Sequence, residues 1–163
     1  TWRGTLDIDG GGPFIQQASH LIDLTLWFSG GFNKVVSSSL FTQYHNIEVE
    51  DHGYAIIEFK NGATGVIEAS TCCHSMQKNE IEISGEAGSV IIGLDGVHYW
   101  NLKNAPPPLE EEKVSVNQIN LLQSLHLDFC LAIENDKEPF IDGESGGLAT
   151  ILVNQIYQMG RKH

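Results

Sequence analysis

Residues 51–70 read DHGYAIIEFKNGATGVIEAS, and apolar and polar side chains alternate along them. Ala55, Ile57 and Phe59 fall on one side while Tyr54, Ile56 and Glu58 fall on the other, the two-residue period of a strand. Asn61 and Gly62 supply the backbone freedom of a tight turn before the alternation resumes. The stretch predicts an antiparallel hairpin with strands over about 51–60 and 63–71. Further strands are expected near 35–45, 79–84, 88–93 and 97–102, with Ile81 and Ile83 alternating against Glu80 and Glu82 and with GEAG at 85–88 as a second turn.

Upstream of this hairpin, an extended lead-in and the glycines Gly10 to Gly12 precede a helix expected over about 13–28. Pro13 suits its first turn, and Gly30 and Gly31 stop it. Downstream, NAPPPLEEEK at 104–113 reads as a solvated loop, followed by helices over about 117–134 and 145–160. Strands grouped between helices predict an α+β fold with a large open, mostly antiparallel sheet and helices packed on one face. The opposite face is expected to expose apolar side chains, Ile56, Val66 and Ile81 among them, and so to meet a second copy of the chain.

With 163 residues the chain is expected to form one domain, 1–163, with a sizeable core. Its formal charge of −12 makes nucleic acid and anionic membranes poor partners. No apolar run approaches the length of a membrane span. Three cysteines, Cys72, Cys73 and Cys130, leave one unpaired in any disulfide scheme, which favours a cytoplasmic location with structural thiols. The abrupt start at Thr1, running at once into a dense motif, suggests a fragment of a longer protein.

Chemistry concentrates on the first long helix. Phe14, Ile15, Ala18, Leu21, Ile22, Leu24, Leu26 and Phe28 cover most of its circumference, and the remaining arc carries Gln16, Ser19, His20, Asp23 and Trp27. His20 lies four residues after Gln16, and Asp23 three after His20, so helical geometry stacks them. A histidine near neutrality can take a proton from an alcohol, and a carboxylate can orient it or bind a hydroxyl. The bland alternative is an ordinary solvated stripe. A metal site built from HxxD with Cys72, Cys73 and His74 is a rival, although the spacing is unlike a zinc ribbon or finger, and no metal is expected. The glycine triplet lacks the preceding strand and the spacing of a phosphate-binding loop, so a tight turn is its expected use.

WRGTLDIDGGGPFIQQASHLIDLTLWFSG and HNIEVEDHGYAIIEFKNGATGVIEAST, supported by EISGEAGSV and HLDFCLAIENDKEPFIDGESGG, strongly resemble the C-terminal domain of the Gfo/Idh/MocA oxidoreductases. The resemblance implies an N-terminal Rossmann domain that holds NAD or NADP, outside this sequence, and an α+β substrate-binding and oligomerisation domain here. It implies hydride transfer between nicotinamide and a hydroxyl carbon of a sugar, inositol or nucleotide sugar, in a homo-oligomer, with this chain inactive by itself. Relatives carry a helical DxxxHxxD motif and a lysine from the Rossmann domain. His20 falls on the catalytic histidine, Asp23 on a substrate-binding aspartate, and Gln16 on the first aspartate.

Gln16 departs from the motif, because a neutral amide hydrogen-bonds substrate but cannot hold His20 as a charged relay. The QQ before the helix centre is reminiscent of relatives acting on nucleotide sugars. The same comparison adds Trp2 and Arg3 from the WRGT lead-in and His74 from the loop after the strand ending at Thr71 as substrate-binding candidates. Cys72 and Cys73 have no adjacent base and are not expected as nucleophiles. His45, Asp51 and His52 are expected to anchor a turn. The competing class is a non-catalytic ligand-binding or scaffolding member of the same fold, which the change at Gln16 allows.

Overall fold

The alternating stretch 51–70 becomes the middle of a three-stranded antiparallel sheet. In the computed structural model, which describes residues 2–74, 79–107 and 118–160, β1 (Phe32–Phe41), β2 (His52–Phe59) and β3 (Thr64–Ser70) pair in that order. Ala55 stands opposite Ile67, and Ile57 opposite Gly65. The expected turn closes through Phe59 N–H to Ala63 O at 2.9 Å, with Gly62 at φ +85° and the Ala63 N–H donating to Asn61 Oδ1. Ala55, Ile57 and Phe59 are buried, whereas Tyr54 and Val66 are exposed, so the alternation reads the two faces as expected. In β1 a register shift between Val35 and Ser37 brings Val35 and Ser38, three residues apart, to the buried side.

Helical residues from the start and the end of the chain pack on one face of this sheet. Here α1 (Leu6–Asp9), α2 (Pro13–Gln16) and α3 (Ser19–Ser29) come from the start of the chain, and the last helix returns from its end. Two local expectations change. The lead-in contains a helical turn, α1, closed by Gly10 at φ +79°, and the single helix expected over 13–28 is two. Pro13 O accepts the amides of both Gln17 and Ala18, a wide turn that interrupts the ladder until Ile22 N–H bonds Ala18 O at 2.8 Å. Gly30, left-handed at φ +72°, ends α3.

Contacts along the backbone group the chain into two units, Thr1–Asn79 with Gly147–His163, and Glu80–Gly146. The core of the first unit joins Phe14, Ile22 and Leu26 to Val35, Ala55, Ile57, Phe59 and Ala69 of the sheet. Leu152, Val153, Ile156 and Tyr157 close it from the last helix, their spacing making one apolar stripe. Each large aliphatic or aromatic side chain removed from water in this way contributes about 2 kcal/mol.

The second unit is a meander of β4 (Glu80–Gly85), β5 (Gly88–Gly93) and β6 (Gly96–Leu102), followed by α4 (Gln118–Glu134). The turn at GEAG is the two-residue connection between paired Gly85 and Gly88. His98 lies between Glu80 and Asp95, its ring nitrogens 2.5 and 2.6 Å from their carboxylate oxygens. Ile81, expected on an exposed apolar face, is buried where it stands opposite Ile92, so it drops out of that surface. The last helix, α5, spans Gly143–Gly160 and contributes to both units. Of the expected loop at 104–113, residues from 108 lie outside the described residues. Among the described residues the fold is α+β, as expected, with its strands in two three-stranded antiparallel sheets.

Candidate active site

The segment that carries the candidate residues is held in place by two acids of HNIEVED, while the third organises the turn at 43–45. Glu48 Oε2 accepts the Leu6 N–H at 3.1 Å. Buried Glu50 accepts the Gly12 N–H at 3.1 Å, the Phe14 N–H at 3.4 Å and the Tyr157 O–H at 2.8 Å. A carboxylate removed from water needs such donors, and the start of α2 has amides that lack partners within the helix. Fully buried Asp51 accepts the backbone amides of Gln43, Tyr44 and His45 at 3.0, 2.8 and 2.8 Å. Burial would raise its pKa, but the amides of His45, Gln43 and Tyr44 and the Cys72 thiol outweigh that and hold the carboxyl well below the ordinary range. The turn-anchoring role expected for Asp51 is therefore what it does.

The glycine triplet is shaped by the same anchors. A Cβ on Gly12 would overlap the backbone oxygen of Glu50, and one on Gly11 would overlap the Tyr157 hydroxyl. Close approach thus explains both residues, while Gly10 supplies the left-handed cap. Because the Gly12 amide already serves Glu50, this loop does not fit a dinucleotide phosphate, and among the described residues every strand pairing is antiparallel. No step through a nicotinamide cofactor follows from these residues.

On α2 and α3 the predicted stripe exists. Gln16, His20, Asp23 and Trp27 are all exposed, whereas Phe14, Ile22 and Leu26 are buried. His20 and Asp23, three residues apart within α3, are neighbours on one helical face. Among the described residues no hydrogen bond or ion pair holds either side chain. Gln16 differs: its Nε2 donates to Asp9 O at 3.0 Å and to Asp9 Oδ1 at 2.5 Å, and Asp9 Oδ2 accepts the Gly4 N–H at 2.7 Å. Asp9 thereby ties the opening segment to the end of α2.

The remaining candidates lie beside that segment or apart from it. Arg3 places its guanidinium 5.5 Å from the centre of the Trp2 ring, and both residues are exposed. His74 Nε2 is 2.8 Å from the Tyr44 hydroxyl, joining it to the turn that Asp51 organises. Among the described residues no hydrogen bond or ring contact joins His74 to α3. His45, Asp51 and Cys72 come within 4.8 Å of one another at their potential ligand atoms, yet the Asp51 oxygens already serve three amides, and His45 Nδ1 lies 3.3 Å from one of them. Burial, then the nearby Asp51, raises the Cys72 pKa, which keeps the thiol protonated and a poor nucleophile.

Sequence reasoning did not single out Asp9, Glu50 or Tyr157. The alternation in EVED offered a signal for Glu50, since period two sets Glu48 and Glu50 alike. Tyr157, separated from Glu50 by 107 positions, had none.

Comparisons with known proteins agree with this architecture. The family described as the GFO/IDH/MocA C-terminal domain matches residues 1–91, more than half of the 163. The WlbA dehydrogenase of Bordetella pertussis, solved with NADH and UDP-GlcNAcA, superposes with a TM-score of 0.80 at 28% identity over 98% of this chain and 47% of its own. The WlbA enzyme of Chromobacterium violaceum, solved with the same two ligands, gives 0.74 at 29% identity over 98% and 46%. A levoglucosan dehydrogenase in complex with NADH gives 0.75 at 21% identity over 99% and 51%, a likeness of fold alone. The chain thus spans about half the length of these structures. No protein of curated function matches it. With the glycine turn, the polar stripe and the antiparallel sheet all falling within or beside the matched residues, the chain belongs to the GFO/IDH/MocA C-terminal domain family.

Proposed function

We propose that this chain is the substrate-binding and oligomerisation half of an NAD(P)-dependent oxidoreductase that oxidises or reduces a hydroxyl or carbonyl of a sugar, inositol or nucleotide sugar. The observation that carries the reading is the exposed pair His20 and Asp23, neighbours on a helix whose other side is core, with no partner holding either among the described residues. Polar groups left without partners beside a rigid core are free to meet a ligand. In alcohol oxidation His20 takes the hydroxyl proton, and in reduction it returns one. Asp23 and Gln16 hold neighbouring hydroxyls, with Arg3 and Trp2 at the border and His74 on the adjoining turn. The dinucleotide belongs to the other half of the parent protein, and this chain alone is inactive. The similar WlbA structures, with a nucleotide sugar and NADH, support that substrate class.

The parent is a cytoplasmic homo-oligomer in this reading. Three free thiols fit a reducing compartment, and no helix of the described residues is long and apolar enough to cross a membrane. Val36, Tyr54 and Val66 expose apolar surface on the sheet face away from the helices, where a second copy packs. The deciding experiment screens the full-length parent with NAD and NADP against sugars, inositols and nucleotide sugars by the absorbance of reduced nicotinamide. Turnover of one such substrate is expected; none with any of them would overturn the reading. Light scattering showing a monomer at every concentration would remove the oligomer.

A further inference from the structure

Gln16 sits in a fixed orientation. Gln16 Nε2 lies 3.0 Å from Asp9 O and 2.5 Å from Asp9 Oδ1. A backbone carbonyl and an ionised carboxylate only accept hydrogen bonds, so the end of the amide that meets them must be its NH2. That leaves Oε1, on an exposed side chain, with no donor from any described residue. Asp9 is itself held, because its second oxygen takes the Gly4 N–H at 2.7 Å. A free glutamine offers substrate either a donor or an acceptor; this one offers an acceptor.

We propose that Asp9 is a positioning residue that locks the Gln16 amide so that Oε1 accepts a hydrogen bond from a substrate hydroxyl. This rests on the proposed sugar-oxidoreductase function and deepens it. Position 16 thus offers an uncharged acceptor. With Asp23 also an acceptor on the same exposed stripe, the subsite takes a hydroxyl donor rather than a carboxylate or phosphate oxygen of the substrate.

Asp9→Asn in the full-length protein tests the lock. The asparagine NH2 can face Gln16, turn its amide over and direct the glutamine NH2 outward. KM for the hydroxyl substrate is expected to rise about tenfold, as for a lost hydrogen bond, with kcat changed less. Gln16→Glu then separates positioning from simple support of the fold. Beside Asp9 the new carboxylate meets like charge and raises KM, whereas beside the asparagine one of its oxygens accepts that NH2 and the other again accepts from substrate, bringing KM back down. An unchanged KM in Asp9→Asn, or no recovery in the double variant, would overturn the proposal.

A readout independent of turnover distinguishes this failure from failure of the oxidoreductase reading. In protein labelled with 15N at glutamine, the Gln16 side-chain NH2 resonances are expected to move in Asp9→Asn while those of Gln155 stay in place. Unmoved Gln16 resonances would refute the lock whether or not any sugar turns over.

Discussion

Two groups of polar side chains in the first unit differ in one respect that assigns their work. Glu50 and Asp51 are buried and saturated: every carboxylate oxygen has a donor, and backbone amides and the buried Tyr157 hydroxyl are among them. His20 and Asp23 are exposed on α3, and no described residue holds either side chain. The first group costs stability when disturbed, since amides that lose their acceptor are left without partners. The second is positioned by the apolar side of its own helix, through Ile22 and Leu26, and is free for a ligand. Gln16 stands between them, with one end committed to Asp9 and the other without a donor among the described residues.

The sharpest break of this contrast is Asp51→Ala. Three amides of the 43–45 turn lose their acceptor, and a loss of about 3 kcal/mol in unfolding free energy is expected from denaturant titration. The pH dependence carries a signature. Because the folded state holds the carboxyl below the ordinary aspartate value of 3.8, its stabilisation is complete above that value and is lost as pH falls beneath it. The variant should lack that part of the acid-side slope; an unchanged slope would remove Asp51 from the anchor.

His20→Ala should do the reverse, leaving stability unchanged within about 0.5 kcal/mol as for an exposed position and lowering kcat of the parent by roughly 10²-fold. Near-normal turnover in the folded variant would make the histidine structural and overturn its proposed part in the proton transfer. Asp23→Asn has the smaller effect, an increase in KM of about tenfold with some loss of kcat from poorer alignment. If the asparagine lowers kcat as strongly as His20→Ala, Asp23 acts in the proton transfer itself.

Local periodicity carried most of the fold and the stripe. The two-residue alternation of 54–59 and the helical arc through His20 and Asp23 are properties of single segments, and burial follows them directly. What stayed hidden involves partners distant in the chain or a backbone choice with several close solutions. The break at Gln17 and Ala18 leaves the apolar pattern of 14–28 intact, so no periodicity argument could find it. Asp9 and Glu50 gain their partners only on folding, Gly4 and Gln16 for the first and Gly12, Phe14 and Tyr157 for the second. The spacing of the glycine triplet marks a turn, but the reason for Gly11 and Gly12 is the closeness of Tyr157 and of Glu50.

Tyr157 offers the finest test, because it reaches the anchored group from the far end of the chain. Burial first, and then the charge and hydrogen bond of Glu50, push its pKa upward from the ordinary 10.0. The folded protein therefore keeps a proton that the unfolded chain releases in alkali, so the stabilisation is fully present below pH 10 and declines as pH rises beyond it. Tyr157→Phe preserves the edge-on packing against Phe14 and removes only the hydroxyl. Glu50 keeps the Gly12 and Phe14 amides, which limits the expected cost at neutral pH to about 1 kcal/mol. Above pH 10 the variant should lose less stability than the parent, so that the two denaturation midpoints converge. Parallel curves through that range would mean that the tyrosine hydroxyl and Glu50 are not coupled, and the buried anchor would then end at the amides.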